Sequence, residues 1–462
     1  MEKVAATLVA SFSSIRLKPK PLSLTMIRHF ILLALSTTLL HAQAEDRWID
    51  SRPTESKTFK ARQTRTLASF ADVKPLDGSA LTRYGGLATD KQRATGFFRV
   101  EKLGDRWWMI DPEGGRFIFT GVCSLRGPSI TKSGIAPALD VLRSADFRGV
   151  GGFSDHTAIH AAEKPLPYTV TLNLMSQFGK KLGLTHAESG HTGYADDCIP
   201  VFDPGFEAHC VEICREQLAT LKDDSWLVGV FSDNELPTPE DLLDRMLKRP
   251  GAPQAAAKAF LGEKTEITDE LRRAFIEHVF DAYFRITTKA IRSALPQHLC
   301  LGSRFHGRAL RLQGVWTAAG RWCDAVSVNY YNRWTPDKEH LTHWHAWSGK
   351  PCLVTEFYVK AVDSGLPNTT GAGWLVKTQA DRGAFYQNFA LALLESKSCV
   401  GWHWFKYIDN DPTDKKAEAS NKDSNKGILN LRGEPYQPLL DAMRELNSRV
   451  FPLIERMDRS AP

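Results

Sequence analysis

Trp226-Leu-Val-Gly-Val-Phe-Ser-Asp-Asn-Glu-Leu-Pro237 is the most informative stretch of this sequence, and Pro351-Cys-Leu-Val-Thr-Glu-Phe-Tyr358 repeats its pattern. Each is an apolar, β-branched run that ends abruptly in a carboxylate, Glu235 in the first and Glu356 in the second. The pattern predicts two buried strands that carry an acidic side chain to their carboxyl ends. Strand-ending acids are common in α/β folds, so each glutamate could instead cap a helix or pair with a surface lysine.

Similar apolar runs recur along the chain and alternate with helix-like segments. The predicted strands cover residues 117–125, 149–154, 167–174, 226–232, 298–305, 324–331, 351–357 and 399–406. The clearest amphipathic stretches lie at 206–222, 270–294 and 376–397. Eight strands alternating with helices predict parallel β-α-β units that close into a (β/α)8 TIM barrel. A doubly wound open sheet is the rival, but no glycine-rich phosphate loop follows the first strand.

The predicted barrel occupies residues 96–455 and starts with a β-hairpin. Strand-like residues 97–100, 106–110 and 116–120 are punctuated by Pro112-Glu-Gly-Gly115, which favours a tight turn. Residues 45–95 are polar and lack periodicity, so we expect an irregular N-terminal segment. Two insertions, 175–205 and 236–269, follow the third and fourth strands and should rise from the face that carries the active site in barrels.

The N-terminus has the pattern of an export signal. A short basic start at Met26-Ile-Arg-His29 precedes an apolar stretch of eleven residues, Phe30 to Leu40, and the small-x-small pattern His41-Ala-Gln-Ala44 follows. The apolar stretch is shorter than the ~20 residues that span a bilayer. We therefore expect a cleaved signal at residues 1–44, with Met26 as the initiator and a secreted or periplasmic product. A membrane anchor or a buried helix is the alternative.

The composition is that of a globular protein, with 42% hydrophobic and 24% charged residues. The net charge of +6 comes from 59 basic and 53 acidic residues without a dense basic block, which argues against a nucleic-acid binder. Four of the eight cysteines, Cys123, Cys300, Cys352 and Cys399, lie in or beside apolar strand-like runs, where a thiol usually acts as a small hydrophobe. One disulfide among Cys198, Cys210 and Cys214 is conceivable, and no spacing fits a zinc site.

All strands of a barrel point the same way, so Glu235 and Glu356 should meet at one rim. Two carboxylates there can serve as the general acid/base and the nucleophile of glycosidic bond cleavage. Aromatic faces stack on sugar rings, while polar side chains bind the hydroxyl groups. The predicted substrate-binding residues at the strand ends are Asn173, Asn234, Arg304, His306, Asn329, Tyr330, His403 and Trp404. Trp404 is expected to lie at the base of the site, where a sugar ring would stack on its indole. Each of these residues alone could instead have a purely structural role.

Several longer motifs resemble clan A of the retaining glycoside hydrolases, and more specifically glycoside hydrolase family 50, the β-agarases. The similar pieces are Trp107-Trp-Met-Ile-Asp-Pro-Glu-Gly114, Phe231-Ser-Asp-Asn-Glu-Leu236, Thr355-Glu-Phe357, Gln379-Ala-Asp-Arg-Gly-Ala-Phe-Tyr386, Val400-Gly-Trp-His-Trp-Phe-Lys-Tyr407 and Asn425-Lys-Gly-Ile428. The resemblance covers residues 97–450. Two departures stand out: Tyr358 replaces a more usual His, and residues 45–95 are too few for the family's large N-terminal β-sandwich.

The resemblance implies that Glu235 is the acid/base and Glu356 the nucleophile of a retaining β-glycosidase. Its expected substrate is a β-linked galactan such as agarose, or the derived oligosaccharides. No metal or organic cofactor is required, and neither nucleic acid nor stable membrane insertion is expected. One alternative is a β-galactosidase or β-glucosidase acting on small glycosides. Another is a catalytically silent barrel that binds carbohydrate.

Overall fold

A computed structural model describes residues 47–459, except for residues 128, 129, 131 and 132. The predicted signal peptide, residues 1–44, lies outside the described residues. The strands are β1 (Arg47–Pro53), β2 (Lys60–Thr64), β3 (Arg99–Leu103), β4 (Arg106–Ile110), β5 (Arg116–Phe117), β6 (Phe119–Val122), β7 (Gly149–Val150), β8 (Tyr168–Thr171), β9 (Thr185–Ala187), β10 (Thr192–Tyr194), β11 (Leu227–Asn234), β12 (Leu299–Phe305), β13 (Val326–Asn329), β14 (Cys352–Phe357), β15 (Val359–Ala361), β16 (Trp374–Val376) and β17 (Cys399–Trp404).

The α-helices surround the barrel and connect its strands. They are α1 (Ala136–Ser144), α2 (His156–His160), α3 (Leu174–Lys181), α4 (Phe206–Leu218), α5 (Leu242–Leu247), α6 (Ala252–Leu261), α7 (Asp269–Ala294), α8 (Gln313–Trp322), α9 (Lys338–Ser348), α10 (Gln379–Glu395), α11 (Gln437–Asn447) and α12 (Val450–Arg459). The longest, α7, begins where the Thr268 side chain accepts a hydrogen bond from the Leu271 amide. Such a cap satisfies an amide that has no partner within the helix.

Eight strands form the closed barrel, in the order β6-β7-β8-β11-β12-β13-β14-β17 and back to β6. Every pairing within it is parallel. Each strand falls within one of the eight predicted runs or overlaps it, so the predicted (β/α)8 fold is confirmed. The runs were recognisable because strands covered by helices are buried on both faces and become almost continuously apolar.

The predicted hairpin is present as the antiparallel sheet β3-β4-β5. Phe98, Met109 and Phe117 pack in one cluster with side chains of the barrel strands, including Phe119 and Leu301. The hairpin therefore closes the amino-terminal end of the barrel with apolar side chains. The carboxyl ends of the strands are left to form the functional face.

The segment predicted to be irregular contributes two strands, which corrects that expectation. Strands β1 and β2 pair with each other, and β1 also pairs antiparallel with β16, where Ser51 lies opposite Val376. With β15 they complete a four-stranded sheet. Most side chains of β1 and β2 are exposed or half-buried, so no apolar alternation marks them in the sequence. Their pairing partner lies far along the chain, which local pattern cannot reveal.

All eight cysteines are buried and free, so Cys198, Cys210 and Cys214 form no disulfide. Within residues 47–459, apart from the four omitted positions, no helix is both long enough and apolar enough to cross a membrane.

Candidate active site

The carboxyl-terminal rim of the barrel concentrates unusual backbone conformations. Ser124, Phe153, Asn173, Glu235 and Asn332 each follow a barrel strand within three residues, and each has φ between 51° and 62°. This left-handed region costs a non-glycine residue ~1–3 kcal/mol and is maintained only where surrounding contacts enforce it. The strained turns direct side chains towards the space above the barrel, where functional sites of this fold lie.

Glu235 and Glu356 line one cavity of about 540 Å³ at this rim. Glu235 follows β11, and Glu356 lies near the end of β14. Phe153, His306 and Tyr331 contribute further walls. Both predicted carboxylates are therefore brought to the same cleft, as expected from the common direction of the strands.

Glu356 is buried and firmly oriented, with only 4% of the residue exposed. One guanidinium nitrogen of Arg304, Nη1, donates a hydrogen bond to Oε1 of Glu356 at 2.6 Å, and the Tyr331 hydroxyl donates to Oε2. Burial raises the pKa of Glu356, the nearby Arg304 charge opposes that rise, and the charge of Glu235 adds to it. The two donors hold the carboxylate in a fixed position and favour its ionised form.

Glu235 has a different set of neighbours. Its Oε1 accepts a hydrogen bond of 2.7 Å from the Asn329 side-chain amide, which also donates to Asn234. Asn329 is itself oriented by Thr355, whose hydroxyl donates to Oδ1 at 2.8 Å. Among the described residues, no Arg guanidinium or Lys ammonium lies within ion-pair distance of Glu235, whereas Glu356 pairs with Arg304.

Two histidines flank Glu235 from opposite parts of the chain. Nδ1 of His306 and Nδ1 of His191 each lie 3.7 Å from a carboxylate oxygen of Glu235. His306 follows β12 as predicted, whereas His191 comes from the insertion after β8. Within the described part of the chain, no group of three or more His, Cys, Asp or Glu residues is arranged to hold a metal ion.

A second cavity, of about 530 Å³, adjoins the first and contains Asn173 and Asn234. Phe153, Gly190 and Glu418 line both cavities. The amide of Gly190 donates a hydrogen bond of 2.8 Å to the Glu418 carboxylate. The insertion after β8 and the loop after β17 therefore meet between the two cavities.

The insertion at 175–205 lies beside the cleft, as predicted, but the insertion at 236–269 has another role. Its helices α5 and α6 contribute no residue to the walls of the two cavities. Instead, Arg245 forms an ion pair with Asp197 and Arg249 one with Asp196. The second insertion thus supports the first rather than walling the cleft.

Three predicted site residues neither line the cleft nor hydrogen-bond the side chains of its two glutamates, and the structure corrects their placement. Tyr330 bonds to His340 through its hydroxyl and packs against Trp344. His403 lies inside the barrel beneath the cleft, with its ring 4.4 Å from that of Phe119. Burial lowers the pKa of His403 to about 3, so this imidazole is neutral at ordinary pH.

Trp404, the predicted stacking floor, is fully buried on the helix-facing side of β17. Its ring contacts Phe357 and Tyr386, and its indole N–H donates to the carbonyl of Lys426 at 2.9 Å. Side chains of a strand alternate between its two faces. Because His403 points inward, Trp402 and Trp404 must both point outward towards α10.

Several cleft residues were not predicted from the sequence, including Tyr331, Tyr358, Phe153, His191 and Lys426. Strand alternation would have identified Tyr331, because Asn329 points into the site and a residue two positions later shares its face. The other four lie on loops or turns, where no periodic pattern exists. Their positions depend on tertiary contacts.

No protein-family model matches the chain. The chain is similar to Beta-agarase B from Vibrio sp. (strain JT0107), with 25% identity over 87% of this chain. That alignment covers 53% of the relative, so the chain spans about half of its length.

Solved structures extend the similarity. The crystal structure of BpGH50 matches with a TM-score of 0.76 and 29% identity, covering 89% of this chain and 96% of that one. The agarase AgWH50C matches with a TM-score of 0.66 and 22% identity over 84% of this chain and 68% of that one, which shows a common fold. The resemblance to glycoside hydrolase family 50 is therefore confirmed.

Proposed function

We propose that the chain is an exported retaining β-glycosidase, with Glu235 as the acid/base and Glu356 as the nucleophile. The observation that carries the proposal is the shared cleft, in which two glutamates, one following β11 and one on β14, face one cavity in unlike environments. Retaining glycosidases need this division of labour, since one carboxyl group must donate a proton while the other attacks.

In the first step, an ionised oxygen of Glu356 attacks the anomeric carbon of the bound sugar. The bond to the leaving oxygen breaks, and Glu235 gives that oxygen its proton. Arg304 and Tyr331 hold Glu356 in place for this attack, because each donates to a different carboxylate oxygen. The step produces a covalent glycosyl-enzyme and a shortened saccharide.

In the second step, Glu235 removes a proton from a water molecule, which attacks the same anomeric carbon. The bond to Glu356 breaks and the sugar leaves with its original configuration. Asn329 holds Glu235 at Oε1, and Asn234 lies close enough to the acid to bind a neighbouring sugar hydroxyl. Such hydrogen bonds strengthen in the transition state.

The proposed substrate is a β-linked galactan, most simply agarose or its oligosaccharides. This rests on the similarity to Beta-agarase B and to the agarase AgWH50C. Phe153, Tyr331 and Tyr358 offer aromatic surface inside the cleft, and burial of apolar sugar faces on such rings contributes ~25 cal/mol per Å². Export is proposed from the signal-like sequence of residues 26–44.

Two substitutions separate the proposed roles. Glu356→Gln should abolish turnover of every substrate, because no other group is proposed to form the covalent intermediate. Glu235→Gln should remain active on aryl glycosides with good leaving groups, since these need little protonation. Azide should restore further turnover by replacing water. A Glu235→Gln enzyme that is equally inactive on polysaccharide and on activated aryl glycoside, with no azide rescue, would reject the assignment.

A substrate panel tests the sugar independently of the mechanism. Agarose, other galactans, β-glucans and small aryl glycosides should be compared with the wild-type protein. Preference for agarose and its oligosaccharides supports the proposal, whereas preference for aryl galactosides or glucosides indicates a small-glycoside enzyme. Binding of galactan without cleavage of any member of the panel would indicate a silent carbohydrate-binding barrel.

A further inference from the structure

One wall of the candidate cleft carries a cation that none of the described acidic side chains neutralises. Arg126 follows β6 and lines the same cavity as Glu235 and Glu356. Its guanidinium lies 5.5 Å from the centre of the Phe153 ring, and the guanidinium of Arg304 lies 4.2 Å from the same ring. Arg304 has Glu356 as its partner. Arg126 has no hydrogen-bonded or ion-paired carboxylate within the described part of the chain.

Two lysines from the loop after β17 add positive charge: Lys426 lines the same cavity as Arg126, and Lys406, which does not line it, lies near enough for the charge of Arg126 to act on it. Lys426 lines the cavity and is buried, and its ammonium donates to the Ser420 carbonyl at 2.7 Å and to the Asn421 side chain at 2.8 Å. Both acceptors are neutral. Burial lowers the pKa of Lys406 to about 8, and the nearby charge of Arg126 contributes to the lowering. These cations therefore repel one another.

The two acids whose charges act on Lys406, Glu418 and Asp409, are hydrogen-bonded to other groups. Glu418 accepts hydrogen bonds from the Gly190 amide and from both the amide and the hydroxyl of Ser420. Asp409 accepts from Asn425, from the Gly427 amide and from the Tyr436 hydroxyl. Both acids already have other donors, and neither forms an ion pair with Arg126 within the described residues, so an anion bound beside Arg126 would relieve its repulsion with Lys406.

We propose that Arg126, reinforced by Lys406 and Lys426, binds an anionic substituent of the saccharide, either a sulfate ester or a carboxylate. The inference rests on the proposed glycosidase function and adds, within the β-linked galactans, a preference for chains that carry such a substituent. A guanidinium suits such a group because its donors match two oxygens of a sulfate or carboxylate at once. Phe153, which lies under both guanidiniums, would fix the position of the neighbouring sugar ring.

Affinity measured in a Glu356→Gln background tests the inference without requiring turnover. Three galacto-oligosaccharides of equal length and linkage serve as probes: one neutral, one carrying a sulfate ester and one containing a uronic acid. By calorimetric titration, we expect at least one anionic probe to bind about tenfold more tightly than the neutral one, the gain of one charge-assisted hydrogen-bonded pair. That advantage should shrink as NaCl is raised.

Adding Arg126→Gln should bring the ratio of affinities, anionic probe over neutral probe, close to one. Lys406→Met should lower the same ratio by a smaller factor. Arg444→Gln is the matched control, because Arg444 is exposed, pairs with Asp441 and contributes nothing to the cleft walls; it should keep the ratio. Equal affinity for all three probes, or an anionic preference that survives Arg126→Gln, overturns the inference. Hydrolysis of the neutral probe by the wild-type protein tests the proposed function separately.

Discussion

Tyr330 and Tyr331 are adjacent in the chain, but only the second hydroxyl reaches Glu356. Tyr331 donates to Oε2 of the carboxylate, whereas Tyr330 turns outward, where its hydroxyl bonds to His340. The difference arises from the alternation of side chains along an extended backbone. This pair therefore offers a matched test of how the candidate nucleophile is held.

Tyr331→Phe should lower kcat/KM by about tenfold, the effect of one hydrogen bond to a charged group. A hydrogen bond to the ionised carboxylate favours that form, so its removal raises the pKa of Glu356 further above its ordinary value. The acidic limb of the pH–rate profile should move to higher pH, because Glu356 must be ionised to attack. Profiles of kcat/KM across pH 4–9 measure both effects.

Tyr330→Phe is the control, since it removes a hydroxyl of the same kind that contacts His340 instead of Glu356. Its acidic limb should coincide with that of the wild-type protein, even if some stability is lost. If both variants shift the limb equally, or if neither does, Tyr331 does not act through Glu356.

Among the secondary-structure elements, β11, α3 and α7 are joined by one buried acid. The Asp233 carboxylate accepts hydrogen bonds from the amides of Met175 and Ser176 in the first turn of α3. It also accepts one from the Tyr283 hydroxyl of α7. Asp233 thereby orients the end of the strand that delivers Glu235 and anchors the insertion beside the cleft.

The titration of Asp233 should be visible in stability. Burial raises the pKa of Asp233 from 3.8 to about 7 in the folded protein. Between those values the unfolded chain has lost a proton that the folded chain retains, so this group makes stability fall as pH rises. Asp233→Asn cannot titrate. The amount by which Asp233→Asn is less stable than the wild-type protein should be largest near pH 4. This difference in the free energy of unfolding should shrink by about 4 kcal/mol towards pH 7.5.

Urea denaturation at four pH values checks the Asp233 prediction. Asp441→Asn, which alters an exposed aspartate paired with Arg444, should show a small difference from wild type that changes little across this window. A deficit of Asp233→Asn that stays constant with pH would mean that the carboxyl group ionises normally in the folded protein.

The face of β17 on which Trp404 lies determines whether its loss should affect stability or substrate binding. Trp404 packs between the barrel and α10 with no exposed surface. Trp404→Ala should therefore cost about 3–5 kcal/mol in the free energy of unfolding, as expected for loss of a buried indole. Under conditions where the variant is folded, KM for oligosaccharides should stay near the wild-type value. A raised KM with an unchanged free energy of unfolding would instead show that Trp404 contacts the substrate in the cleft.

The same physics explains what the sequence could and could not predict. The eight barrel strands were predictable because burial on both faces leaves an apolar signature, and the hairpin because Pro112-Glu-Gly-Gly115 marks its turn. The common strand direction placed Glu235 and Glu356 together. Strands β1 and β2 lack that signature, since few of their side chains are buried. Predicting Tyr331 required knowing which side chains of β13 face the site. Lys426 and His191 reach the cleft only through loop conformations, which the sequence pattern does not give.

At the scale of the whole molecule, the N-terminal strands support a loop on the functional face. The loop from β15 to β16 contains Thr370 and Gly371, which line the cleft. Strand β1 pairs with β16, the hydroxyl of Thr54 donates to the Gly371 carbonyl, and the Lys360 ammonium donates to the hydroxyl of Thr54. Residues 47–64 therefore stabilise one side of the cleft although they contribute no residue to it.

A pair of truncations tests this role. A chain starting at residue 46 keeps β1 and β2, whereas one starting at residue 66 exposes the edge of β16 and leaves the buried Lys360 ammonium without Thr54. The shorter chain should have a clearly lower Tm, and its KM should rise more than its kcat falls, because the loop shapes the cleft and holds neither glutamate. Hydrogen exchange should show reduced protection confined to residues 359–376, since an edge strand that loses its partner opens locally while the barrel stays closed. Equal Tm, KM and protection in the two chains would show that the barrel alone holds the loop. A large loss of kcat, with protection reduced throughout the chain, would show that β1 and β2 stabilise the barrel itself.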